Sequence, residues 1–80
     1  MSMKHITDAQ VCRAVQAFRD RDLELPWPYE ALAAETGQPE KVCFRAMERA
    51  DRRGLLDYGV SLRTAWLTEA GKALLNQSET

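Results

Sequence analysis

Apolar side chains first recur along the chain at helical spacing. Val11, Ala14, Val15 and Phe18 fall on one face, with Arg13, Gln16, Arg19 and Asp20 turned outward. The run opens on Ile6-Thr7-Asp8-Ala9-Gln10-Val11. Thr7 is placed to cap the backbone N–H of Gln10, Gln10 to reach back to Thr7, and Ile6 to staple onto Val11. The pattern predicts a first helix from about Asp8 to Arg21. Asp20-Arg21-Asp22 closes it, and Leu23-Glu24-Leu25 alternates like a short strand. Pro26-Trp27-Pro28 interrupts helical structure, but Pro28 suits the first turn of a second helix, Tyr29–Glu35, stopped by Thr36-Gly37.

A third helix, Pro39 to Arg53, carries the cleanest stripe: Cys43, Ala46, Met47 and Ala50, at i, i+3, i+4 and i+7. At 100° per residue, Lys41, Arg45, Glu48 and Arg52 lie opposite that stripe, with Val42 and Phe44 on the two flanks. Gly54 after Arg52-Arg53 is the expected stop. The last third changes period. Leu55-Leu56-Asp57-Tyr58, a turn at Gly59, and Leu62-Arg63-Thr64-Ala65-Trp66-Leu67 read as a β-hairpin, with Trp66 expected in the core. Thr68 is placed to cap a closing helix, Glu69 to Leu75, with Ala70, Ala73, Leu74 and Leu75 as its apolar side and Gly71 as a weak point. Met1–His5 reads as a loose tail and the end from Asn76 as frayed. The chain is then a single domain, 1–80, ordered over about 6–76.

Composition narrows the function. Eighty residues, 45% hydrophobic and 29% charged, suit one small core with little room for a catalytic cleft. Serines 2, 61 and 78 lack a nucleophile-elbow setting, and the carboxylate pairs Asp20/Asp22 and Glu30/Glu35 imply no converging pocket. A phosphate-cradling glycine loop is missing. Cys12, Cys43 and His5 are too few and too scattered for a zinc site, which takes about four ligands. A non-enzymatic protein without metal or cofactor is expected. The two cysteines fall on apolar stripes, as buried free thiols of a reducing compartment would. No apolar run approaches the ~20 residues of a membrane span, so the expected location is the cytoplasm. Net charge is −1, but unevenly spread. Residues 1–40 hold four basic and seven acidic side chains, and residues 41–80 hold seven and five. The second half is the candidate basic face.

The order helix, short strand, helix, tight turn, helix, hairpin, helix resembles the winged helix-turn-helix. The stretch Tyr29–Gly59 is similar to the helix-turn-helix and first wing strand of MarR-like bacterial regulators, through Ala33, Gly37 and Arg52-Arg53-Gly54-Leu55. Trp66-Leu67-Thr68-Glu69-Ala70-Gly71-Lys72-Ala73-Leu74-Leu75 resembles the L-T-x-x-G-x-x-L join between wing and closing helix in the same superfamily. The resemblance covers about residues 6–75 and leaves out the long terminal helices with which MarR-type regulators dimerise. It implies an α+β fold: a three-helix core, a C-terminal β-hairpin wing and a short closing helix.

The expected function is DNA binding by a small bacterial or phage transcriptional regulator that sets its third helix in the major groove of double-stranded DNA. Arg45 is the candidate for a base contact, because guanidinium reaches guanine O6 and N7 together. Lys41, Arg49 and Arg52 suit phosphates, Arg63 the backbone or minor groove from the wing, and Glu48 a cytosine amine. The bland reading of this face is a solvated surface with i,i+4 pairs such as Glu48–Arg52. Phe44 either packs against the second helix or the hairpin, or contacts a thymine methyl or a partner protein. Trp27 either plugs the core or anchors a partner. The alternative function is a winged-helix protein-interaction module without DNA affinity. A homodimer would use the first helix, the closing helix or an exposed aromatic.

Overall fold

The computed structural model describes residues 6–78, so the expectation for Met1–His5 lies outside the described residues. Among the described residues the fold is α+β, with four helices and one two-stranded antiparallel sheet, in the order α1 (Asp8–Asp20), α2 (Pro28–Thr36), α3 (Glu40–Arg52), β1 (Leu56–Asp57), β2 (Trp66–Leu67) and α4 (Glu69–Ser78).

Helix α1 starts where the sequence said it would. The Gln10 N–H donates to Thr7 Oγ1 at 3.1 Å, and the Thr7 N–H donates to Gln10 Oε1 at 2.8 Å. Ile6 and Val11 both enter the core. The helix ends in a Schellman turn: the Leu23 N–H reaches the Phe18 carbonyl and the Asp22 N–H reaches that of Arg19, both at 3.0 Å. Asp22 takes the left-handed position with φ 57°, and Leu23 follows at φ 65°. This backbone overturns the expectation of a strand at Leu23–Leu25, because two successive left-handed residues cannot lie along an extended ladder. Leu23 and Leu25 are exposed instead, and Arg21 donates to the Pro26 carbonyl to hold the connection.

Helix α2 has Pro28 in its first turn, with the Glu30 carboxylate accepting the Trp27 N–H at 2.9 Å. Gly37, at φ 75°, stops it. Helix α3 buries Cys43, Ala46, Met47 and Ala50, the stripe read from the sequence. Its end is the second Schellman turn, now with glycine in the left-handed position: Leu55 N–H to Ala50 carbonyl and Gly54 N–H to Asp51 carbonyl, with Gly54 at φ 78°.

The hairpin is shorter than expected. Leu56 pairs with Leu67 and Asp57 with Trp66, and no other described residue is strand. Residues Leu62–Thr64 form a 3₁₀ turn rather than a returning strand, since Ser61 Oγ accepts the Arg63 N–H and Thr64 Oγ1 donates to the Ser61 carbonyl. That turn folds Leu62 and Ala65 into the core and leaves Val60 wholly exposed.

Thr68 then joins three elements. Its Oγ1 accepts the Gly71 N–H at 3.1 Å and donates to the Gly54 carbonyl at 2.6 Å, while its N–H donates to the Leu55 carbonyl at 3.0 Å. Gly71 is more than a weak helix residue. A Cβ built there would stand 2.2 Å from the Leu55 carbonyl oxygen, so the α3–β1 turn can rest on α4 only if position 71 has no side chain. Helix α4 runs on to Ser78, past the expected fraying at Asn76. Its core contact is through Leu75 and partly Leu74, whereas Ala70 and Ala73 face water.

Candidate nucleic-acid interface

The outward row of α3 is present. Lys41, Arg45, Glu48 and Arg52 are all exposed, because the opposite stripe is buried against α1, α2 and β1. No ion pair among the described residues engages Lys41, Arg45 or Arg52, and the Glu48–Arg52 pair of the bland reading does not form. Next to this row lies a groove of about 390 Å³ between the start of α2, the outer face of α3 and the β1–β2 connection. Tyr29, Glu40, Lys41, Phe44, Arg45, Glu48 and Arg63 line it. Three cations and two carboxylates leave the lining net positive by one charge.

Arg63 reaches this groove from the 3₁₀ turn, its guanidinium 5.9 Å from the centre of the Tyr29 ring. The Phe44 ring also meets Tyr29, edge-on at 5.7 Å and 90°. Phe44 is half-buried, packed on the second helix as one of its expected placements had it. Trp27 is also half-buried, its ring 5.8 Å from that of Phe18. That contact draws Trp27 toward the core.

Arg49 departs from its expected role. Its Nε donates to Asp8 Oδ1 at 3.0 Å and its Nη2 to the Ile6 carbonyl, while Arg53 donates to Asp8 Oδ2. The guanidinium of Arg49 therefore ties α3 to the start of α1 and is withdrawn from any phosphate-facing surface. Burial pushes the Asp8 carboxyl up, but the hydrogen bonds and charges of Arg53 and Arg49 outweigh it and hold the group below 3.8. The lower value is a stability statement: Asp8 favours the fold above its ordinary titration range, and that contribution is lost as pH falls through the depressed folded value.

Two further residues escaped the sequence reading. Arg19, expected outward, turns onto the β1–β2 connection: Nε donates to the Ala65 carbonyl at 3.1 Å and Nη2 to that of Thr64. Its guanidinium also covers Trp66 at 5.2 Å. Trp66, expected in the core, is 39% exposed, since Leu67 takes the inward position of the two-residue strand. A period-two reading in which either neighbour can point inward gives no local signal for which one does.

Both cysteines are buried free thiols. Burial, with the Asp8 charge adding to it, pushes Cys12 up to about 11. Burial also raises Cys43, against a hydrogen bond with Thr36 that pulls down and the Glu40 charge that pushes up. At neutral pH both are protonated and shielded, so neither is a nucleophile. Among the described residues no cluster of three metal-ligating side chains occurs, and no helix is long and apolar enough to cross a membrane. The chain matches no family model, no curated protein and no solved structure.

Proposed function

We propose that the chain is a winged helix-turn-helix DNA-binding domain of the MarR-like type, acting in the cytoplasm as a small bacterial or phage transcriptional regulator. In this reading α2 and α3 are the helix-turn-helix, and the β1–β2 connection is a short wing. One observation carries it: Lys41, Arg45 and Arg52 stand exposed in one row on α3, outside every ion pair of the described residues, with Arg63 facing the same groove. Such a row fits the major groove, which admits an α-helix and offers guanine O6 and N7 to a guanidinium. Arg45 makes the base contact, Lys41 and Arg52 meet phosphates, and Arg63 approaches the backbone from the wing. Glu48, within the row, discriminates by accepting from a cytosine amine and rejecting misplaced phosphate. Two copies of the domain on adjacent half-sites supply the affinity that one small surface lacks.

The test is titration of labelled random duplex at several salt concentrations, followed by selection of preferred sequences. Log K should fall by roughly 0.9 per phosphate neutralised for each tenfold rise in salt. Arg45→Ala should weaken the selected site by about 1–3 kcal/mol and relax preference at one base pair. Lys41→Ala should weaken all sequences alike and flatten the salt slope by about one. Absence of duplex binding at low salt overturns the proposal. A protein-docking role then gains, and the exposed Tyr58 and Val60 of the β1–β2 connection, with Trp66 of β2, are the surface that favours it.

A further inference from the structure

We propose that Phe44 reads a thymine methyl group, so that the preferred DNA site places a thymine next to the guanine taken by Arg45; the inference rests on the DNA-binding reading above. Phe44 is the aromatic residue of α3, and the core stripe of that helix is already filled by Cys43, Ala46, Met47 and Ala50. The ring does not join them fully. It remains half-buried and lines the groove among Lys41, Arg45, Glu48 and Arg63. One part of the ring is packed on Tyr29 and the core, and the part left open among charged side chains is apolar surface that an apolar ligand group can cover. In the major groove of duplex DNA, the apolar feature on the base edges is the thymine C5-methyl.

The ring is also held in place before any ligand arrives. Tyr29 meets it edge-on at 5.7 Å, and Arg63 covers Tyr29 from the β1–β2 connection at 5.9 Å. That fixes the face Phe44 shows to the groove at little further cost in side-chain entropy. Phe44 and Arg45 are consecutive, separated by about 1.5 Å along the helix axis and about 100° around it. A helix lying in the groove therefore sets them against neighbouring positions, the guanidinium toward the floor and the ring toward one wall. Thymine beside guanine is the step this pair distinguishes.

The experiment takes the wild-type protein and the duplex obtained by selection, and replaces each thymine in turn by deoxyuridine, which removes the methyl and keeps base pairing. At one position the dissociation constant should rise about fourfold, the value of one buried methyl group. Phe44→Ala should bind the thymine and deoxyuridine duplexes equally. Phe44→His, which retains a flat ring against Tyr29 but makes it polar, should behave like Phe44→Ala. The wild-type series needs no variant to fold. A protein that selects a sequence yet shows no methyl dependence at any thymine overturns the role of Phe44 and leaves the DNA-binding reading standing. Methyl dependence that survives in both variants does the same. Failure of the wild-type protein to bind any duplex at low salt overturns both.

Discussion

Helix α3 meets the rest of the molecule along one edge and water along the other, and its cations behave differently on the two. On the inner edge, Arg49 and Arg53 close on Asp8, with Arg49 and Asp8 side chains only 20% and 15% exposed. On the outer edge, Lys41, Arg45 and Arg52 are exposed with no carboxylate drawn onto them among the described residues. Arginine stands on both edges. What separates a structural arginine from an available one is the surface opposite it, and here one aspartate in the first turn of α1 makes that division. The same contrast recurs at the β1–β2 connection, where Arg19 is tied to two backbone carbonyls and Arg63 is left at the groove. Arginine count alone says little about where a nucleic acid would be held; the count after internal pairing says more.

That contrast can be broken or sharpened by substitution. The largest effect should come from the inner side at Gly71→Ala. Helix propensity alone favours alanine there by about 1 kcal/mol. The Leu55 carbonyl at 2.2 Å from the new Cβ opposes it, and overpacking against backbone should win, destabilising by about 3 kcal/mol in urea unfolding. A stabilised variant would show that α4 does not sit on the α3–β1 turn. Next is Arg45→Ala on the outer side, with its loss of about 2 kcal/mol in binding to the selected duplex. Its unfolding free energy should stay within about 0.5 kcal/mol of wild type, the mark of an exposed residue without partners. A fall in stability comparable to the loss in binding would erase the distinction between the two edges.

Asp8→Ala should cost about 1–2 kcal/mol, held to that range because Arg53 stands largely in water. The sign with pH is fixed by the lowered carboxyl value. The difference between Asp8→Ala and wild type should be full at neutral pH and be lost as pH falls through the depressed folded value, where the wild-type carboxylate also becomes neutral. A gap that stays constant into acid would mean that the ion pairs do not stabilise the fold. The smallest effect should come from the two Schellman turns. Asp22→Gly gives α1 the residue that α3 already has at Gly54, and should stabilise by about 0.5–1 kcal/mol, read as a rise in Tm.

Much of the fold was legible before any coordinates. The Thr7–Gln10 box, the Cys43/Ala46/Met47/Ala50 stripe, the stops at Gly37 and Gly54 and the Thr68 cap all formed as read. Each depends on groups within about one helical turn, so the signal and its cause sit in the same short stretch of chain. The exposed row Lys41, Arg45, Glu48 and Arg52 follows from the same periodicity, as the reverse of a stripe that had to be buried.

The rest was settled by tertiary contact. Arg49 joins Asp8 across 41 residues, and Arg19 joins the Ala65 carbonyl across 46. Gly71 is required by a carbonyl at Leu55, and Trp66 is turned outward by the choice of Leu67 for the core. Charge and propensity at a position state what a side chain can do. Which partner it meets depends on how helices pack, and that is fixed by the summed burial of the whole core rather than by any neighbour in sequence. The chain itself determined where its helices start and stop and which face of α3 is hidden. Only the packing of α1 against α3 and the β1–β2 connection determined which cations remain available on the other face.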